Sequence, residues 1–167
     1  MHDNQPVISP EAFHGLFGEI TNALDPYTEG AKVGVMMSLM SAYSAYIGHG
    51  PTVETGKGSS PLALWSVLVG VSGKGRKGTA TGMAMRVVEA AFASFAENSV
   101  VDGLPATGLG LITELADRAE GTLATPVLFV EEEGDALLSN ARRDAKVGVY
   151  LRKAFDAQTI APQDQDR

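Results

Sequence analysis

Cysteine is absent from the 167-residue chain, which excludes disulfide scaffolds, thiol chemistry and Cys-ligated zinc. The three histidines, at positions 2, 14 and 49, are too scattered to suggest a His metal site. No apolar run approaches the ~18 residues that span a bilayer, and the opening MHDNQPV lacks the pattern of a signal peptide. A soluble, cytoplasmic protein with no membrane partner is therefore expected. Basic residues are outnumbered 13 to 20, and the net charge of −7 restricts any DNA contact to a local basic patch. What the chain does have is 44% hydrophobic residues against 20% charged, enough for a buried core in one domain.

Along the chain, periodicity and turn residues predict an α/β order. Ser9, Pro10 and Glu11 form a helix start, and Phe13, Leu16, Phe17, Ile20 and Leu24 follow on one face. Asp25-Pro26 ends that helix. A second, from about 29 to 47, carries a methionine stripe (Met36, Met37, Met40) that reads first as core packing. Residues 50–61 are expected as a loop with a short hairpin. Leu62–Gly70 (LALWSVLVG) is a continuous apolar run, which suits a strand covered on both faces in a parallel sheet. A long helix is expected to about Asn98, a short strand over 100–102, and a helix over about 108–119 capped by Thr107. A second buried-type strand is expected over 127–130, with helices over about 135–142 and 146–156. The chain is thus divided into a helical N-terminal extension (1–50), a core (51–157) and a polar tail (158–167).

The segment Gly70-Val71-Ser72-Gly73-Lys74-Gly75-Arg76-Lys77-Gly78-Thr79 joins the apolar run to the long helix. Glycines there let backbone N–H groups turn toward phosphate oxygens, and the helix adds its N-terminal dipole. Lys74, Arg76 and Lys77 supply cations, and Thr79 a hydroxyl suited to phosphate-bound Mg²⁺. The segment departs from the Walker A pattern: Gly70 to Gly75 fits, but Arg-Lys-Gly-Thr stands where Lys-Ser/Thr belongs. Either Lys77 or Arg76 is then the phosphate cation, and the flexible ammonium favours Lys77. The same residues contain Gly73-x-Gly75-x-x-Gly78, with Asp102 24 positions after its last glycine, so a dinucleotide site with Asp102 on a ribose hydroxyl is the rival reading. A strand-to-helix turn with solvated basic residues is the structural alternative.

LFVEEE places carboxylates at the carboxyl end of the later strand, the edge at which open parallel sheets bind ligands. Glu131 is the candidate metal ligand, and Glu132 or Glu133 the water-activating carboxylate. The alternative is the solvated start of the next helix, where acids favour the dipole.

The stretches LWSVLVGVSGKGRKGT, LFVEEEGDALL and LRKAFD resemble an uncharacterised P-loop ATPase family of phages, plasmids and bacterial mobile elements, whose members accompany primase-polymerase or replicative helicase modules. FHGLFGEI and GLPATGLGLITEL are also similar to that family, so the resemblance covers most of residues 10–156. It implies a RecA-like core serving DNA replication or mobilisation. Gly75, Lys77 and Thr79 would bind ATP phosphates and Mg²⁺, and Glu131 with an adjacent glutamate would form the Walker B site. It also implies a homo-oligomer or a replication-protein partner. The family's later strands, sensor residue and arginine finger have no counterpart, so the core is expected to be partial. Arg142, Arg143 and Arg152 are read as exposed helix charges, or as residues that act in trans or touch DNA. A helicase-like ATPase is the first expectation, and a catalytically degenerate P-loop interaction protein the second.

Overall fold

A computed structural model describes residues 8–56, 58–71, 75–118 and 126–160. Among these the chain is mixed α/β, with seven α-helices and two two-stranded sheets. It divides into two units, one from Met1–Ala42 and Trp65–Ala91, the other from Tyr43–Leu64 and Phe92–Arg167.

In the first unit the chain opens with a short 3-10 turn, Pro10–Ala12, and then α1, Gly15–Leu24. The helix expected from Ser9 therefore starts later. Gly15 takes φ +62°, and a Cβ on Gly18 would lie 2.2 Å from the Phe13 carbonyl carbon. The chain thus folds back on itself where a continuous helix was expected, and Leu16 is left exposed. After the 3-10 turn Asp25–Tyr27 comes α2, Lys32–Ile47, and later α3, Lys77–Ala91. Val35, Leu39 and Ala42 of α2 and Ala80, Ala84 and Val88 of α3 are buried. These residues recur at three- and four-residue spacing, which lines up one face of each helix. Small residues allow the two helices to approach: a Cβ on Gly34 would stand 3.0 Å from the Ala80 Cβ, and the Ser38 and Thr81 hydroxyls lie 3.5 Å apart.

Leu62–Gly70 does not form the expected strand. Ser66 and Leu68 of this stretch lie against α2, with the Ser66 hydroxyl 2.9 Å from that of Ser41 and Leu68 beside Gly34. Among the described residues no strand pairs with it, so an apolar run of strand composition stands here without a sheet.

In the second unit, β1 (Thr52–Thr55) and β2 (Gly58–Pro61) form the antiparallel hairpin expected over 50–61, with Thr52 opposite Pro61. The long helix expected to Asn98 is interrupted at Phe92, which takes φ −137° and ψ 56° ahead of α4, Ala93–Ser99. The Phe92 ring stacks on Tyr46 at 4.1 Å, and Phe95 meets Tyr46 edge-on at 5.6 Å. β3 (Val100–Asp102), α5 (Gly108–Asp117) and β4 (Leu128–Val130) make a parallel βαβ unit in which Val101 pairs with Phe129. The Thr107 hydroxyl caps α5, accepting from Gly110 N–H at 3.0 Å. α6 (Gly134–Arg143) and α7 (Ala145–Phe155) follow. Leu111, Val147 and Tyr150 are buried where α5 packs on α7. At that contact a Cβ on Gly108 would fall 2.6 Å from the Lys146 Cβ. No described helix is long and apolar enough to cross a membrane.

Candidate phosphate-binding loop

Two glycines bring the ends of the glycine-rich segment together. A Cβ on Gly70 would lie 3.3 Å from the Gly75 Cα, and one on Gly75 would lie 3.1 Å from the Val71 carbonyl oxygen. Gly75 N–H donates to that same oxygen at 2.8 Å. The backbone can reverse this tightly because neither position carries a side chain. Ser72, Gly73 and Lys74 lie outside the described residues.

Arg76 leads out of the reversal with φ +41°, a left-handed conformation uncommon for a residue with a Cβ. α3 then begins at Lys77, and Ala80 N–H makes its first described bond, to the Arg76 carbonyl at 3.1 Å. The N–H groups of this first turn have no partner within the helix, and the dipole of a 15-residue helix favours negative charge there. Lys77 curls back so that its Nζ donates to the Gly70 carbonyl at 3.4 Å. Gly78 and Thr79 are exposed on the same turn. A cation, a hydroxyl and a helix N-terminus thus follow directly on the close approach of Gly70 and Gly75.

Glu29 was not anticipated from the sequence. Its carboxylate forms an ion pair with Arg76. It is held there because Gly30 packs directly on α3: a Cβ on Gly30 would stand 2.7 Å from both Cα and N of Ala80. The Thr28 hydroxyl accepts from Gly30 N–H at 3.0 Å and fixes the turn that precedes α2. A Thr-Glu-Gly turn ahead of a helix was the available signal, but the pairing with Arg76 spans 47 positions and no local pattern encodes it.

The acidic segment belongs to the second unit. Glu131 directly follows β4, as expected for a residue at a strand's carboxyl end. Its Oε2 accepts from Leu104 N–H at 3.2 Å and its Oε1 from Glu133 N–H at 2.9 Å. One carboxylate thus ties the turn after β3 to the turn after β4. Glu132 and Glu133 are exposed, and Glu133 occupies the N-cap position of α6 without a side-chain cap bond. Among the described residues no group of three or more His, Asp or Glu is arranged to hold a metal ion. Among the described residues β3 and β4 pair only with each other and residues 62–70 make no strand, so the single sheet expected to carry both the glycine loop and the acidic end is not seen there. Asp102 ends β3 and is exposed, but the strand that a dinucleotide site requires before the glycines is likewise missing. Arg142 and Arg143 are exposed in the last turn of α6 and Arg152 in that of α7, where cations favour the helix dipole.

Compared with protein-family models, curated proteins and solved structures, the chain matches none.

Proposed function

We propose that the segment from Gly70 to Thr79 binds the phosphates of a nucleoside triphosphate, with ATP and Mg²⁺ as the first pair to test. The observation that carries this reading is the curl of Lys77 over the Gly70–Gly75 reversal, at the start of α3. A flexible ammonium there reaches β- and γ-phosphate oxygens, and the first-turn N–H groups complete an anion cradle. Thr79 is the residue suited to a phosphate-bound Mg²⁺, whose remaining positions phosphates and water would fill. The metal would neutralise developing charge on the γ-phosphate. Lys77 would add to that, and Arg76, once free of Glu29, would supply a second cation. Both oxygens of Glu131 already serve the second unit's backbone, so its presence is accounted for without a ligand. A role in DNA replication, with a replication-protein partner, rests on the sequence resemblance alone.

The test is Mg²⁺-dependent binding of fluorescent ATP and ADP to the full chain, alongside Lys77→Ala, with turnover assayed in the same samples. Loss of one charge-assisted contact should weaken binding by roughly 10- to 100-fold. Absence of saturable binding by folded wild-type protein would remove the reading. Binding without turnover would favour the degenerate, non-hydrolysing form of the domain.

A further inference from the structure

Within the first unit, the end of α1 and the 3-10 turn after it stand beside the C-terminal half of α3 and leave a groove of about 720 Å³. Leu24, Met83, Val87 and Ala90 give it apolar walls, and Tyr27, 78% exposed, adds an aromatic ring. Arg86 is the one charged residue among the seven that line it. It makes no ion pair with any described residue. Glu89 stands three positions further along α3, within ordinary helical reach, and is left unpaired with it. Lys32, Arg76 and Arg118 of the described residues each hold a carboxylate.

Size narrows the kind of occupant. The groove falls in the range of small-molecule sites, about 300–1,000 Å³. A protein partner needs roughly 20–30 residues on each side, and seven cannot supply them. Charge narrows it further. A guanidinium is planar and permanently charged, and it matches a single carboxylate through two parallel hydrogen bonds. A di- or triphosphate would leave the rest of its charge unpaired against apolar walls, on a chain of net charge −7. The Tyr27 ring and the Met83 thioether favour a flat aromatic body over an alkyl chain. Ala90 and Ala91 lie at the carbonyl end of α3, where the helix dipole repels an anion. The ligand's charge therefore belongs at Arg86 and its apolar part toward the alanines.

We infer that this groove binds a small aromatic monocarboxylate, with the carboxylate on Arg86 and the ring against Tyr27 and Met83. The inference does not depend on nucleotide binding.

The test titrates naphthoate, and the uncharged naphthalenemethanol of similar shape, into isotope-labelled full chain followed by amide NMR. Naphthoate should shift the signals of Leu24, Tyr27 and residues 83–91 saturably, with a Kd on the order of 1 mM for a ligand of this size. The alcohol leaves Arg86 unpaired and should bind roughly 10-fold more weakly. Arg86→Gln should weaken naphthoate by about that factor and leave the alcohol unchanged, so that the two then bind alike. Tyr27→Ala should weaken both ligands. Both side chains are exposed, so circular dichroism should not change in either variant. Lys77→Ala should leave naphthoate binding as it is, which separates this groove from the glycine loop. The inference is overturned if no saturable shifts appear or if they centre on other residues. It is overturned as well if wild type binds the alcohol as tightly as the carboxylate, or if Arg86→Gln weakens both ligands equally.

Discussion

Gly30 and Ala80 touch backbone to backbone: a Cβ on Gly30 would stand 2.7 Å from both N and Cα of Ala80. The contact sets the approach of α3 to the turn before α2, and with it the position of Glu29 beside the glycine loop. It also decides the sign of a substitution. Gly30→Ala would reduce the entropy of the unfolded chain, a gain of about 0.4–1 kcal/mol. Against this stands an overlap with main-chain atoms that no rotamer change relieves, and overpacking of this kind costs about 1–3 kcal/mol. Net destabilisation is expected, read as a lower urea midpoint with unchanged slope.

If the loop binds phosphate as proposed, the Glu29–Arg76 ion pair would oppose it. A polyphosphate entering the loop must take Arg76 from Glu29 and approach a carboxylate of like charge. The pair is exposed, with side-chain exposures of 71% for Glu29 and 50% for Arg76, so solvent screens it. Exposed pairs are worth about 0.2–1 kcal/mol, which corresponds to roughly 1.5- to 5-fold in affinity. Glu29→Gln should therefore tighten ATP binding within that range, and the gain should shrink in high salt. Titrations of wild type and variant at two ionic strengths check both statements.

The parts legible in the sequence were those fixed locally. Thr107 reads as an N-cap and serves as one, the 52–61 hairpin lies where its turn residues put it, and the strand just before Glu131 forms. The misreadings have non-local causes. Leu62–Gly70 has strand composition, but whether it joins a sheet depends on a neighbouring strand, which composition cannot supply. The break at Phe92 accompanies its stacking on Tyr46, 46 positions away. At the candidate site, the glycines and Lys77 were visible as a pattern. Glu29 was not, because its place follows from the Gly30–Ala80 contact and from no spacing around the loop.

Glu131 links two turns with one side chain, and its removal should be felt as stability. Glu131→Ala leaves the Leu104 and Glu133 N–H groups without their acceptor, and an unsatisfied, partly buried donor costs about 1–3 kcal/mol. Glu131→Gln keeps one acceptor oxygen and should lose less. Urea unfolding should rank the three proteins as wild type, Gln, then Ala. An Ala variant as stable as wild type would mean that these bonds hold nothing.

Asp144 caps two helices at once. Its Oδ2 accepts from Gly108 N–H at the start of α5, at 2.7 Å, and its Oδ1 from Lys146 N–H at the start of α7, at 2.9 Å. The bond from Gly108 and then that from Lys146 stabilise the ionised form, desolvation works against it, and the Lys146 charge adds to it. Together they hold the carboxyl below its ordinary value of 3.8. A group whose pKa is lower folded than unfolded contributes stability above the unfolded value and loses it as the pH falls through the folded one. Asp144→Asn removes the charge and leaves one acceptor oxygen for two N–H groups. At neutral pH the variant should melt several degrees below wild type. The gap should stay constant down to mildly acidic pH and narrow once the pH drops below about 3.8, the unfolded value. Carboxylates common to both proteins titrate alike and cancel in the difference. Melting temperatures of the two proteins measured side by side from neutral pH into acid therefore isolate this one group, and a gap independent of pH would show that the double cap does not depend on its charge.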